Sequence, residues 1–288
     1  MIFNKTFRTF YKMHALGNDF ICFDCFSRGI PRPSALAVRL CDRRKSIGGD
    51  GLILLEKSRV ADAKMRIFNA DGSEAETCGN GVRCAGKFLH DIKRIKKTSL
   101  SVETGAGIAY LHLHCNGENQ AQSATVKLPA AQFSPEKIPV SLPPDRSGKI
   151  VARPVKIGGI TFKITCVSAG NPHCVTFDEA AARAFETLGG QIESAPVFPQ
   201  KTNAEFVTVN ARNDFSVRVY ERGSGETYAC GTGACAVAAA ATENGFADKN
   251  AEITVRMKGG VLRVKVTDDA MYLTGETRLS FAGKIQTP

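Results

Sequence analysis

No stretch of this chain approaches the roughly 20 consecutive apolar residues that cross a bilayer as a helix, so no membrane partner is expected. The N-terminus, Met1-Ile2-Phe3-Asn4-Lys5-Thr6-Phe7-Arg8, lacks the continuous apolar region and small-residue cleavage site of a secretory signal. The first ten residues hold no acidic side chain but are too few for a transit peptide, and the expected compartment is cytoplasmic. A second C-x-x-C is missing too. Cys22 and Cys25 form one such pair, but nothing completes a four-ligand zinc set, and Asp19 to Phe26 reads as a buried strand. Without an export signal the ten cysteines are expected as reduced thiols, most of them small buried apolar side chains. The net charge of +10 owes much to Lys87, Lys93, Arg94, Lys96 and Lys97, with no aromatic residue between Lys93 and Lys97 to stack on a base. These cations suit a helix C-terminus and a solvated face, so nucleic acid is not expected as a partner.

What is present fits a globular protein: 43% hydrophobic residues, a mean hydropathy of −0.12, and 288 residues, enough for one large domain or two ordinary ones. From Tyr11 the chain reads as short strands with occasional helices. A helix-like pattern covers Pro31 to Arg43 behind the N-cap candidate Ser34, and a buried strand is expected at Leu52–Leu55 and another strand at Lys64–Phe68. Leu111 and Leu113 alternate with His112 and His114, which puts the histidines on a wet face. The stretch from Asn116 to Gly148 is rich in Asn, Gln, Ser and Pro, and the crossover between halves is placed near Ala121 to Leu128. Further on come strands at Thr161–Ser168, Phe206–Val209 and Phe215–Tyr220, and a helix with Ala180, Ala181 and Phe185. Mixed short strands with few helices indicate α+β rather than a regular βαβ array.

Two stretches stand out, Cys78-Gly79-Asn80-Gly81 and Cys230-Gly231-Thr232-Gly233. Each follows an Arg-apolar-aromatic strand, has a glutamate four residues upstream (Glu74, Glu226) and opens a small-residue helix, expected at about Gly81–His90 and Gly233–Asn244. The two cysteines are 152 residues apart; Gly17-Asn18 and Gly170-Asn171 are 153 apart, as are Asp50 and Asn203. Three pairs at nearly one offset indicate an internal duplication, too long in period for a solenoid. The expected architecture is two pseudo-symmetric domains, 1–124 with Cys78 and 125–275 with Cys230, the segment 276–288 packing back onto the first, and an active site in the cleft between them.

A helix N-terminus offers unpaired N–H groups and the positive end of a dipole. A cysteine there is expected to have its pKa lowered from about 8.5 toward neutrality. The amides of Gly79-Asn80 and Gly231-Thr232 can hold a substrate carboxylate, with one sulfur on each side of the α-carbon. Such a pair inverts a stereocentre: a thiolate removes the α-proton from one face and a thiol donates to the other. Gly231-x-Gly233-x-x-Ala236 also matches a dinucleotide-binding string, but the first copy ends in Cys84 and no βαβ context surrounds either. Cys84 and Cys235 are expected to face the core.

At these residues the chain resembles the diaminopimelate epimerases, a cofactor-independent two-cysteine family. The resemblance covers about residues 11 to 280 and rests on His14-Ala15-Leu16-Gly17-Asn18-Asp19-Phe20, Asn69-Ala70-Asp71-Gly72-Ser73, Cys78 to Cys84, Gly170-Asn171-Pro172-His173, Thr202 to Phe206, Glu221 to Thr227 and Ala229 to Ala236. It implies that Cys78 and Cys230 are the acid/base pair, with His173 and Glu221 assisting. It further implies that Asn18, Asn69, Asn171, Asn203, Glu221 and Arg222 bind an amino-acid substrate, while Gly79, Asn80, Gly231 and Thr232 take the reacting carboxylate. No cofactor and no metal are implied, and the partner expected besides the small-molecule substrate is a second copy of the chain. The chain departs from the family at Gly51, where certain members carry a substrate-contacting glutamine, and at Phe281, where some have a tyrosine at the dimer contact. Two other functions compete: a proline-racemase-like enzyme, which usually has histidine where Asn80 stands, and a relative on the same fold that lacks epimerase chemistry. Retention of both cysteines argues against the second.

Overall fold

The computed structural model describes residues 6–76 and 78–287. It has two compact units. One runs to Val126 and resumes at Thr274; the other is Lys127–Leu273. Strands dominate both, so the α+β class is as expected.

In the first unit the strand Asn18–Asp24 lies between Thr6–Ala15, antiparallel, and Gly51–Glu56, parallel. Phe20, Ile21, Cys22 and Phe23 are all buried, because this strand is covered on both faces and so reads as an unbroken apolar run. Cys22 and Cys25 are buried thiols of that core, as anticipated. On one face the helix Pro33–Cys41 sets Leu36, Ala37, Leu40 and Cys41 against Ile21, Phe23, Leu52, Leu54 and Phe68. Its N-cap is Arg32, in the left-handed region, and Ser34 falls inside the first turn. Proline explains the shift: Pro33 has no N–H to lose and its φ suits the first helical position. The other helix, Gly79–Lys87, packs against Ala63–Asn69 and Gly107–Cys115 and continues into a π-helical turn, Phe88–Ile92. It therefore starts two residues earlier than the sequence pattern suggests. The outer strand Arg278–Thr287 pairs with Thr6–Ala15. His112 and His114 are exposed between buried Leu111 and Leu113. Three cations of the basic cluster are paired: Lys87 with Asp91 at 2.7 Å, Lys93 with Asp24 at 2.9 Å and Lys97 with Asp62 at 2.7 Å.

The second unit repeats this plan. Pro172–Thr176 pairs parallel to Asn203–Ala211, which pairs antiparallel to Asp214–Glu221. One sheet face buries Phe162, Ile164, Cys174, Ala204 and Phe206 against Phe185, Leu188 and Ile192. The helix expected around Ala180 to Phe185 is two helices, Glu179–Arg183 and Phe185–Glu193, because Ala184 leaves helical geometry at φ −96°, ψ 18°. On the opposite face lies Gly231–Glu243, whose buried alanines let its backbone approach the sheet.

Registers make the duplication concrete. Leu52 pairs with Phe68, and Ala204 with Tyr220 in the corresponding hairpin; the short return strands pair Phe68 with Glu74 and Tyr220 with Glu226. Even the ion pairs recur: Arg66 Nε donates to Glu74 at 2.7 Å and Arg218 Nε to Glu226 at 3.0 Å. One equivalence shifts by a residue. With these hairpins superposed at the cysteine offset of 152, Asn203 corresponds to Gly51 rather than to Asp50.

Candidate functional site

The Cys78 half is built at a helix start. Cys78 is the N-cap of Gly79–Lys87, in extended backbone at φ −153°, and its carbonyl accepts the first helical hydrogen bond from Val82 N–H at 2.8 Å. The amides just after it point out of the helix end, where an α-helix makes no internal bonds. Asn18 approaches from the first position of its strand, directly after the Leu16-Gly17 turn. Its Oδ1 accepts from Asn80 Nδ2 at 3.0 Å and lies 3.9 Å from Cys78 Sγ. Asn18 Nδ2 in turn donates to Asp50 Oδ2 at 2.8 Å. Behind it stands an ionic brace that the motif reading missed: Arg43 bridges Asp19 at 2.6 Å and Asp50 at 2.8 Å, and Lys12 Nζ reaches Asp19 at 2.6 Å. Burial works against the Asp19 charge, but Arg43 and Lys12 overcome it and hold the carboxyl down at about 2. The signal for this brace was Asp50, which follows Gly48-Gly49 directly and whose N–H donates to Asp19 O at 2.8 Å. Asn69 ends its strand and donates to Ser73 Oγ at 2.9 Å. A side chain at Gly51 would begin 2.8 Å from the Phe68 carbonyl oxygen, a close approach that glycine permits.

The Cys230 half repeats the device more deeply. Cys230 is the N-cap of Gly231–Glu243, its carbonyl accepting from Ala234 N–H at 3.0 Å. Its Sγ accepts from Gly233 N–H at 3.3 Å and lies 3.5 Å from Thr232 Oγ1. Cys230 is only 6% exposed, and here the expectation of a lowered thiol pKa fails. Burial pushes the Cys230 thiol well up, and the carboxyls of Glu221 and Glu205 push the same way; Thr232 and Gly233 pull against them without prevailing. A helix start lowers a thiol pKa only where the sulfur keeps enough solvation, and this one does not.

Around it, His173 is fully buried, with Nδ1 2.7 Å from Glu205 Oε1 and Nε2 2.9 Å from Asn171 Oδ1. Asn203 donates to Pro172 O at 2.8 Å and accepts from Arg222 N–H at 2.9 Å, so its amide ties a strand to the following turn. The Arg222 guanidinium donates to Gln200 O at 3.3 Å on the surface. Glu221 accepts from Thr227 Oγ1. Glu205 went unassigned in the sequence reading. Strand period two was the signal for it, because Asn203 and Glu205 must share a face. Among the described residues no group of three or more His, Cys, Asp and Glu side chains could hold a metal ion, and no helix is long and apolar enough to cross a membrane.

The fold and the doubled cysteine N-cap define a class of two-unit α+β proteins with recognisable relatives among solved structures. A PhzF-family phenazine biosynthesis protein from Bacillus anthracis superposes with a TM-score of 0.71 at 18% identity, covering 97% of this chain and 99% of that one. A hydroxyproline epimerase from Agrobacterium vitis gives 0.68 at 14% identity, covering 97% and 92%. At such identities these likenesses speak for the fold alone. The profile of the family Diaminopimelate epimerase matches residues 10–132 and 165–280. The diaminopimelate epimerase of Acetivibrio thermocellus is 43% identical over 281 residues, spanning 96% of this chain and 98% of its own length. That of Pelotomaculum thermopropionicum is 41% identical over 279 residues, spanning 96% and 98%. The chain belongs to the diaminopimelate epimerase family, whose members are isomerases independent of pyridoxal phosphate.

Proposed function

We propose that this chain interconverts LL- and meso-2,6-diaminopimelate without a cofactor, and that Cys78 and Cys230 exchange the α-proton across the two faces of one carbon. The observation that carries this reading is the repetition of a cysteine N-cap before a glycine-led helix, once in each unit. Amides at each helix start supply donors for the reacting carboxylate, and these stabilise the charge that builds there as the α-proton leaves. Glu221, Arg222 and the asparagines Asn18, Asn69, Asn171 and Asn203 serve the substrate's amino groups and its distal carboxylate. The arginine is suited to a fork on that carboxylate.

Burial favours Cys230 as the thiol, ready to donate. In the opposite direction it must take a proton, and the Gly233 N–H and Thr232 hydroxyl are placed to steady the thiolate. His173 and Glu221 assist proton movement. The product serves lysine and peptidoglycan precursor synthesis, in the cytoplasm, with a homodimer as the working assembly.

The test is solvent-deuterium incorporation with LL-diaminopimelate beside proline and glutamate. Exchange into diaminopimelate alone is expected; faster exchange into proline would favour a proline-racemase-like enzyme instead.

A further inference from the structure

His173 and Glu205 are both fully buried on adjacent parallel strands, and their hydrogen bonds constrain where protons sit. Asn171 Oδ1, 2.9 Å from His173 Nε2, is a carbonyl oxygen and accepts only, so Nε2 carries a hydrogen. The 2.7 Å contact from Nδ1 to Glu205 Oε1 needs a second proton, on one atom or the other. The pair is then neutral overall. Glu205 Oε2 is buried with no hydrogen-bond partner, so a carboxylate charge would stand there unrelieved. Burial accordingly raises the Glu205 pKa, opposed by His173. The arrangement that leaves no charge on Oε2 is a carboxylic acid donating to Nδ1, with Nε2–H toward Asn171.

Glu205 also sits under the cysteine. A Cβ placed on Gly233 would lie 2.9 Å from Glu205 Oε1 and 3.3 Å from Cys230 Sγ. The titratable groups around Glu205 are His173 and Cys174 on the neighbouring strand, Glu221 on the next and Cys230 at the helix start.

We propose that Glu205 is the proton reservoir of His173. When Nε2 gives up its proton, the Oε1–H bond breaks and an Nδ1–H bond forms, so the imidazole stays neutral and Glu205 ends as the carboxylate. The proton from Nε2 passes to a base that takes the place of the Asn171 amide oxygen, water or hydroxide in a titration and the reacting groups during turnover, and no electrons move; the return of a proton to Nε2 reverses both shifts. Glu205 thus acts through His173 and is a positioning residue. The part of this that concerns turnover rests on His173 assisting the epimerisation proposed above; the tautomer change does not.

The full chain labelled with 15N tests it, since five histidines give a readily assigned long-range 1H–15N map. In the wild type, His173 is expected to show Nε2–H at low pH and Nδ1–H once the pair has titrated. In Glu205→Gln it keeps Nε2–H throughout, because the amide bonds to Nδ1 but has no proton to surrender. A wild-type tautomer that never changes, or one that changes alike in both proteins, overturns the proposal, and the wild-type map decides alone if the variant does not fold. In the enzyme assay Glu205→Gln should hold KM within about threefold and lose at least about tenfold in kcat. A merely structural glutamate predicts unchanged kcat, because glutamine preserves the hydrogen bond, and that result also overturns the reservoir. Absence of wild-type turnover would instead count against the epimerase reading and leave the tautomer measurement standing.

Discussion

At the scale of single residues, what matters is how one position serves both packing and chemistry. Cys230 caps a helix and is proposed to move a proton. Serine separates the two, since its hydroxyl caps a helix at least as well but is a far weaker acid and base. Cys230→Ser should therefore unfold within a few degrees of the wild type while turnover falls by about 10²- to 10⁴-fold, the usual worth of one acid/base group; near-normal turnover would remove Cys230 from the mechanism. Gly233 offers the converse test. An added Cβ would meet Glu205 Oε1 at 2.9 Å and the Cys230 side chain at 3.2 and 3.3 Å, with buried groups on every side. Gly233→Ala is expected to lose about 1–3 kcal/mol in chemical denaturation, the ordinary cost of overpacking. The neighbouring Gly231 meets only Leu273, at 3.1 Å, and Gly231→Ala should cost less.

Among elements, the ionic brace behind Asn18 links a turn, a strand and a loop. Asp19 has its carboxyl held at about 2, below its usual 3.8, with burial opposing and Arg43 and Lys12 prevailing. A depressed carboxyl contributes stability that is complete above its unfolded value and is lost as pH falls through the folded value. The window is thus roughly pH 4 down to 2, and after allowance for solvent screening around the exposed Arg43 the contribution is about 1–2 kcal/mol. Thermal melts of Asp19→Asn and wild type should differ near neutrality and converge at the acid end. Parallel curves would show that Asp19 stabilises by some means other than its charge. Helix and strand existence was legible here because the apolar runs were unambiguous, as in Asp19–Phe26. Helix starts were less so. Residues before the first apolar position are glycines and polar side chains whose helical state is set by packing: Gly81 would place a Cβ 3.3 Å from Ile53 Cδ1, so the backbone itself lies against the sheet. The break at Ala184 was equally invisible, since alanine favours helix and its neighbours carry no helix-stopping residue.

For the whole molecule, duplication is the governing fact, and two expectations attach to it. If Cys78 and Cys230 act on one carbon, mild oxidation of the substrate-free enzyme should join them, detectable as a linked peptide that is prevented by bound substrate. The second concerns self-association. Phe281 is 51% exposed on the outer strand, with Leu279 and Phe7 also exposed, while the Phe281 ring packs edge-on to Phe10 at 6.0 Å. If this strand serves the homodimer, Phe281→Asp should sediment as a monomer with its melting temperature newly independent of concentration.

The sequence by itself carried the motifs on which the family resemblance rests, the strand and helix pattern of the α+β class, and the spacing of the doubled cysteine device and two-unit plan, because these depend on residue identity and on periods that a chain carries in one dimension. Tertiary structure decided what depends on neighbours distant in sequence: that Cys230 lies deep enough for burial to outweigh its helix start, that Asp50 holds the Asn18 amide, and that Glu205 lies under His173 with one oxygen unsatisfied. The two cysteines that read as equals in the sequence are set at different depths, since desolvation is a property of everything packed around a sulfur and no local pattern encodes it.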